Sequence, residues 1–388
     1  MTTTDTRESR DTTDAVAPTL LEAARAAAPL AAAHAEAAEA DRRLAQPVVD
    51  AIVAAGFSSH FAPAAQGGAA GTFAELLDAS AALGEGCASA AWFASVTASA
   101  GRLTAYLPQE GREGVWAKGP ETVVVAGLMP SGTAEPAPGG WRVTGTWNYV
   151  SAVDFSDWTL VAARVAGAEG TGVRVLAVPR TDYAITDTWR VVGMRGTGSN
   201  TVVLDEVLVP DAYTVPLDVL LKGLAPDAAA ACHRVPMKAA NGVTLGGPLL
   251  GASRGALRRW RELVAAKLNA PAGAISGGSD HGTFEQLLAR AEGEIDAAGL
   301  LLERVARTTD TGAVDALGTA RNGRDCALAA EMLATVADRL LRSAGTRAQA
   351  EGEELQRHWR DVNCGAGHSG LQFPTAAGAY ARLLNDSA

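Results

Sequence analysis

Helical and strand periodicities occupy separate stretches of this chain, and that segregation limits its fold more than any other feature. Leu and Ala recur at helical spacing over 18–43, a second amphipathic segment runs over 47–56 to Gly56, and 73–83 and 87–107 are helix-periodic again. From Glu121 the pattern changes to short β-branched and aromatic runs: 123–125, 141–144, 158–163, 173–178, 189–192 and 201–209. Turn-forming Gly, Pro, Asn and Asp separate them, at 138–140, 166–172 and 196–200. Beyond Pro210 the helical period returns over 235–264, 284–308 and 324–343, with breaks at Pro271 and Gly277-Gly278. A doubly wound α/β sheet would alternate strand with helix throughout, so the segregation argues against one. The expectation is an α+β chain with an N-terminal helical domain, a central antiparallel β-barrel or sandwich domain, and a C-terminal four-helix bundle. Its boundaries are a disordered tail at 1–17, then 18–120, 121–225 and 226–388, the last ending in an active-site loop.

Composition narrows the function. With 48% hydrophobic and 20% charged residues in 388, the chain can bury a large core. Its Ala-rich stretches are broken by Glu, Asp and Arg before reaching the ~20 apolar residues of a membrane span, and the first 14 residues lack a secretory core. A cytoplasmic protein without a membrane partner is expected. A formal charge of −10 and the lack of a long basic run argue against nucleic acid. Cys87, Cys232, Cys326 and Cys364 are scattered, and the six histidines form no HExxH pair, so neither a disulfide framework nor a metal site is expected.

Gly251-Ala-Ser253-Arg-Gly255 matches G-x-S-x-G, and Asp361 and His368 could complete a triad in chain order. The surrounding helical pattern supplies no parallel sheet for a nucleophile elbow. Ser253 therefore reads better as a helix position, with Gly247, Gly251 and Gly255 allowing close packing. Gly84-Glu-Gly86 lacks the third glycine of a dinucleotide fingerprint, and no P-loop occurs. The helix at 87–107 carries Ser89, Ser95, Thr97 and Ser99 as its main polar groups and should be buried on most sides.

Three ordered stretches carry more information: Ala126-Gly-Leu-Met-Pro-Ser-Gly-Thr-Ala-Glu-Pro136, Trp141-Arg-Val-Thr-Gly-Thr-Trp-Asn-Tyr-Val-Ser151, and Gly193-Met-Arg-Gly-Thr-Gly-Ser199 leading into 202–210. This run resembles the central β domain of the acyl-CoA dehydrogenase superfamily, and with helical domains on both flanks the resemblance extends from about residue 18 onward. It implies a flavin lying against Met129, Ser131, Thr133, Trp147, Tyr149 and Ser151, with Trp147 walling the ring and Ser131, Thr133 and Ser151 as uncharged hydrogen-bond donors. Ser151 takes the place of the hydroxyl near flavin N5. Arg342, Gly345 and Thr346 fall in the loop that meets the cofactor's phosphate end.

Departures from the dehydrogenase pattern point to the reaction. Dehydrogenation needs a glutamate base, yet Ser369 and Asn241 stand at its two usual places. The segment Arg357-His-Trp-Arg-Asp-Val-Asn-Cys-Gly-Ala-Gly-His368 is instead similar to the flavin-dependent monooxygenases, the oxygenase components of two-component hydroxylases. That branch implies His368 as a catalytic imidazole over the flavin. Trp92, Phe93, Ser95 and Ser99 would line the substrate side with Asn241 and Ser369. The implied reaction inserts one atom of O2 into a small aromatic or polyketide-like compound through a flavin C4a-hydroperoxide. Reduced FMN or FAD would come from a separate flavin reductase, and the oxygenase would be a homo-oligomer, a tetramer in this branch. Alternatives are a dehydrogenase or oxidase of acyl-CoA or acyl-carrier substrates in the same fold, and a serine hydrolase using Ser253. His233 and Arg234, at the head of the bundle, fit either a substrate contact or a salt bridge.

Overall fold

The computed structural model describes residues 18–166, 172–225, 230–268 and 281–386. The expected tail at 1–17 and the breaks at Pro271 and Gly277-Gly278 lie outside them. The chain opens with helices α1 (Leu20–Ala33), α2 (Ala35–Asp41), α3 (Gln46–Ala54), α4 (Phe73–Gly84), α5 (Ala88–Thr104) and α6 (Gln109–Val115). Thr19 and Thr72 start α1 and α4 with capping boxes: each hydroxyl accepts the N–H three residues on, and Glu22 or Glu75 reaches back to the threonine backbone. Helix α5, short of charge, is buried along nearly its whole length.

Seven strands follow, β1 (Val124–Ala137), β2 (Gly140–Val150), β3 (Trp158–Val165), β4 (Val173–Pro179), β5 (Ala184–Thr186), β6 (Asn200–Pro210) and β7 (Thr214–Pro216). They form one sheet in the order β5-β6-β2-β1-β3-β4-β7, antiparallel except where β1 runs parallel to β3. The antiparallel expectation is corrected at that pair. It is corrected again at 189–192, which is loop and not strand. There the Asn200 side chain accepts the amides of Thr188 and Trp189 at 3.1 Å, and the Trp189 indole donates to the Met194 carbonyl at 2.9 Å. Those side-chain bonds satisfy the segment in place of a ladder.

The β2–β6 register shifts between Trp147 and Val150. Both residues consequently face inward, and Tyr149, with φ 64°, faces out. Trp147 is 1% exposed and donates its Nε1–H to the Ala162 carbonyl at 2.8 Å, filling the sheet's interior. The expectation that Trp147 walls a flavin is therefore corrected: no indole face is open to a ligand, and Tyr149, 73% exposed, is the outward aromatic of that strand.

Helices α7 (Leu217–Lys222), α8 (Met237–Leu268), α9 (His281–Asp310), α10 (Ala316–Ala344), α11 (Glu354–Ala366) and α12 (Phe373–Asp386) complete the chain. Helix α8 packs on α4, α5, α9, α10 and α11. At Gly251 it approaches α4 so closely that an added Cβ would lie 2.1 Å from the Ala81 carbonyl oxygen. Ser253 is fully buried within α8 and its hydroxyl has no partner. Inside a continuous helix, away from any parallel sheet and shut off from solvent, it cannot be a nucleophile elbow, and the hydrolase reading is overturned.

Candidate active site

Ser151, Trp92 and His368 come from the end of β2, from α5 and from the turn after α11, and they meet in one place. The Trp92 indole N–H donates to Ser151 Oγ at 3.1 Å, and the Trp92 and His368 rings meet edge-on with centroids 5.8 Å apart. Ser151 Oγ lies 2.7 Å from Ser199 Oγ, which lies 2.8 Å from Thr197 Oγ1. Thr197 in turn donates to the Met194 carbonyl at 2.8 Å. Ser199 and Thr197 are buried, and Ser151 is half-buried. Tyr149, Ala152 and Met194 all hold left-handed backbone conformations with φ between 54° and 65°. Strain of this kind in non-glycine residues costs on the order of 1–3 kcal/mol each and gathers where geometry is imposed by function.

The loop carrying Met194, Thr197 and Ser199 is gripped from several sides. Asp361 of α11 accepts the Met194 N–H at 2.5 Å, and Arg360 donates to the Val192 carbonyl at 2.8 Å while pairing with Glu39 of α2. Arg195 donates to the Glu39 carbonyl at 3.0 Å. Asp361 is almost fully buried, and burial pushes its carboxyl up to about 6 despite the Met194 amide, Arg357 and Arg360.

Local chemistry fixes the His368 tautomer. Its Nδ1 accepts the Gly370 N–H at 3.0 Å, so the neutral ring carries its proton on Nε2. The residue's surface is exposed, yet the protein around it desolvates the imidazole enough to lower its pKa. Leu245 of α8 adjoins the same turn, since a Cβ added at Gly370 would lie 3.3 Å from Leu245 Cδ1 and 3.2 Å from His368 Nδ1. Asn241, one helical turn before Leu245, is half-buried, and Ser369 is exposed beside His368.

Other expected site residues separate into those left at least partly exposed and those closed off within the protein. On α5, Trp92, Val96 and Ser99 share a face, with Val96 and Ser99 half-buried. Phe93 instead points inward onto Phe155, and the Ser95 hydroxyl donates to the Thr244 carbonyl of α8. Both are closed off from any substrate, which corrects the expectation for Phe93 and Ser95. Met129, Ser131 and Thr133 lie exposed on β1. Arg342 stands 83% exposed near the end of α10, 3.9 Å from Asp338, with Gly345 and Thr346 exposed after it, and no described contact joins them to Ser151. His233 is buried and bonded through Nε2 to the Phe61 carbonyl at 2.7 Å, a structural role. Thr197 and Ser199 lie inside the glycine-rich stretch 193–199, where sequence reading saw a turn; the hydroxyls at alternate positions were the only signal.

Among the described residues no cluster of His, Cys, Asp or Glu could hold a metal ion, no helix is long and apolar enough to cross a membrane, and the four cysteines are free. The site offers an uncharged hydroxyl, an indole and a neutral imidazole, with no carboxylate bonded to Ser151. That donor set suits the edge of a flavin, whose ring asks for neutral hydrogen-bond partners, and the exposed Met129 and Tyr149 supply apolar surface on the same sheet.

Helices flanking a mostly antiparallel sheet, with a hydroxyl and an imidazole both in contact with the Trp92 indole at their junction, fit the acyl-CoA dehydrogenase architecture. The family model "Acyl-CoA dehydrogenase, C-terminal domain" matches residues 243–373. The chain is 31% identical over 356 residues to the FADH(2)-dependent resorcinol hydroxylase, oxygenase component, of Rhizobium sp. (strain MTP-10005), covering 86% of each protein. Its fold superposes on the HsaA monooxygenase from M. tuberculosis with TM-score 0.89 at 27% identity, covering 95% of this chain and 98% of that one. XiaF from Streptomyces sp., solved with FADH2 and glycerol, superposes with TM-score 0.85 at 27% identity over 93% of each chain. The chain belongs to the flavin-dependent monooxygenases of the acyl-CoA dehydrogenase superfamily, as an oxygenase component of the two-component type. The acyl-CoA dehydrogenase or oxidase alternative finds no support in these relatives.

Proposed function

We propose that this oxygenase uses reduced FMN or FAD, delivered by a separate flavin reductase, and O2 to hydroxylate a small aromatic compound. The observation that carries this reading is the convergence of Ser151, Trp92 and His368 at the junction of sheet and helices. When bound, the reduced flavin supplies the electrons that activate O2. The protein's own part is to hold the ring and the substrate in register. Ser151 bonds the flavin edge near N5, and Met129, Ser131, Thr133 and Tyr149 line the sheet side. Trp92, Ser99, Asn241 and Ser369 bound the substrate side. His368, neutral with its proton on Nε2, acts as hydrogen-bond donor and proton source toward oxygen. Desolvation keeps it uncharged, and the Gly370 amide keeps Nδ1 from carrying the proton.

The phosphate end of the cofactor meets Arg342, Gly345 and Thr346, whose exposure suits a contact made across a subunit boundary. Exposed apolar side chains at Met129, Tyr149 and Val192, each more than 70% exposed, support a homo-oligomer, and α8 to α11 serve as its four-helix bundle. The test mixes anaerobically reduced FMN or FAD with the protein and O2 in the presence of phenols, catechols and indoles. Hydroxylated product carrying one 18O from 18O2 is expected. Peroxide as the sole product with every aromatic, together with bleaching of oxidised flavin by an acyl thioester, would reverse the assignment.

A further inference from the structure

The hydroxyl chain behind Ser151 has a direction that its end groups impose. At one end the Trp92 indole can only donate, and at the other the Met194 carbonyl can only accept. Three hydroxyl protons serve three contacts between Ser151 and Met194: Ser151 to Ser199 at 2.7 Å, Ser199 to Thr197 at 2.8 Å, and Thr197 to the Met194 carbonyl at 2.8 Å. The last contact must use the threonine proton. Ser199 must then donate to Thr197, and Ser151 must donate to Ser199. No proton is left on Ser151 for a ligand, while its oxygen, already accepting from Trp92 at 3.1 Å, keeps one lone pair. Ser199 and Thr197 are 3% exposed, so water cannot readily supply an alternative partner and reverse the order. Asp361, accepting the Met194 N–H, holds the far end of the chain in place.

The geometry points to Thr197 and Ser199 as positioning residues that turn Ser151 into a hydrogen-bond acceptor, so that the site selects reduced over oxidised flavin. Reduced isoalloxazine carries a hydrogen on N5 that it can donate, whereas the oxidised ring presents a lone pair there and would face the lone pair of Ser151. This reverses the donor role expected for Ser151 from the sequence. It also gives the protein a means to take up the form the reductase delivers and to release the spent form. The inference rests on the placement of the flavin edge at Ser151.

Affinities of wild type, S151A, S199A, T197V, T197S and the S151A/S199A double variant for FMN and FAD test it. The oxidised forms are titrated by fluorescence and the dithionite-reduced forms anaerobically, with circular dichroism confirming folding. Removing Ser199, or the hydroxyl of Thr197, frees the Ser151 proton to point toward a bound flavin. S199A and T197V are expected to lower the ratio of reduced to oxidised affinity roughly tenfold, which is a fall of about 30 mV in the midpoint potential of bound flavin. T197S should keep the wild-type ratio, and S199A should add nothing once Ser151 is already Ala. If S199A and T197V leave the ratio unchanged while S151A lowers it, the chain's direction is overturned and the flavin placement stands. If S151A changes affinity for neither form, the placement fails and the inference with it.

Discussion

At the scale of single residues, two ionisable groups carry opposite burdens. Burial lowers the pKa of His368, so it binds its proton less tightly than an exposed imidazole, and at neutral pH it is uncharged with Nε2–H available. Protonation would place a second N–H on Nδ1, facing the Gly370 amide that now donates to it. Coupling of O2 consumption to hydroxylation should therefore fall only on the acid side of the ordinary imidazole range, which centres on about 6.5. H368Q, which keeps a donor but does not titrate, should lose that acid limb. H368A should shift turnover from product to peroxide by about 100-fold. Product and peroxide measured against pH check both statements. Asp361 shows the converse. Its folded carboxyl titrates near 6, above the ~3.9 of an unfolded chain, so the folded state binds the proton more tightly. That contribution to stability is complete below the unfolded value and is lost as pH rises through about 6. The stability of D361N relative to wild type should rise by on the order of 2–3 kcal/mol between acid and neutral pH, read from denaturant melts at each pH. Ser151 and His368 were legible because each ends a stretch whose residue order is distinctive. Thr197 and Ser199 were not: their hydroxyls converge only because Met194 and Gly198 take left-handed conformations, and nothing in a run of Gly, Thr and Ser announces those angles.

At the scale of elements, helix α8 depends on a partner for one of its own backbone bonds. Pro248 has no N–H to offer the Thr244 carbonyl four residues earlier, and the Ser95 hydroxyl of α5 supplies the missing donor. Ser95 is thus a pin between the helices that carry Trp92 and Leu245. S95A should cost about 1–3 kcal/mol by leaving a buried carbonyl unsatisfied. Replacing Pro248 with Ala returns an amide to the helix, so S95A should cost much less in a P248A background. A double-mutant cycle of denaturant melts measures the difference. The long strands and helices were readable from periodicity because each buries one face. The three-residue β5 and β7 were too short to show a period, and 189–192 looked like a strand because its β-branched and aromatic residues fit one. The competing event, Asn200 capturing two backbone amides, is a contact from a different part of the chain. The Trp147 and Tyr149 exchange has a similar origin, since a register shift reversed which aromatic faces out.

At the scale of the whole molecule, the loop 192–199 joins the parts that sequence reading treated as separate. Arg360 and Asp361 of α11, Glu39 of α2 and the β2 end at Ser151 all converge on it. Arg42 ties the same region further, with both guanidinium ends on Asp187 and one on the Trp189 carbonyl. The succession of helical, sheet and helical parts was visible in the sequence, but their common junction was not, because the bonds that tie α2 and α11 to it span more than 150 residues. Gly193 is where the joint is tightest: an added Cβ would lie 2.1 Å from the Arg360 carbonyl oxygen and 2.8 Å from the Asp361 nitrogen, both backbone atoms that cannot swing aside. Gly251 offers a matched control, since its added Cβ would strike the Ala81 carbonyl oxygen at the same 2.1 Å, between α4 and α8. G193A and G251A should each lose about 1–3 kcal/mol of stability by overpacking. Only G193A moves the loop that orders Thr197, Ser199 and Ser151, so it alone should weaken reduced-flavin binding, by about tenfold. Equal losses of affinity in the two variants would show that flavin binding follows overall stability and not this joint.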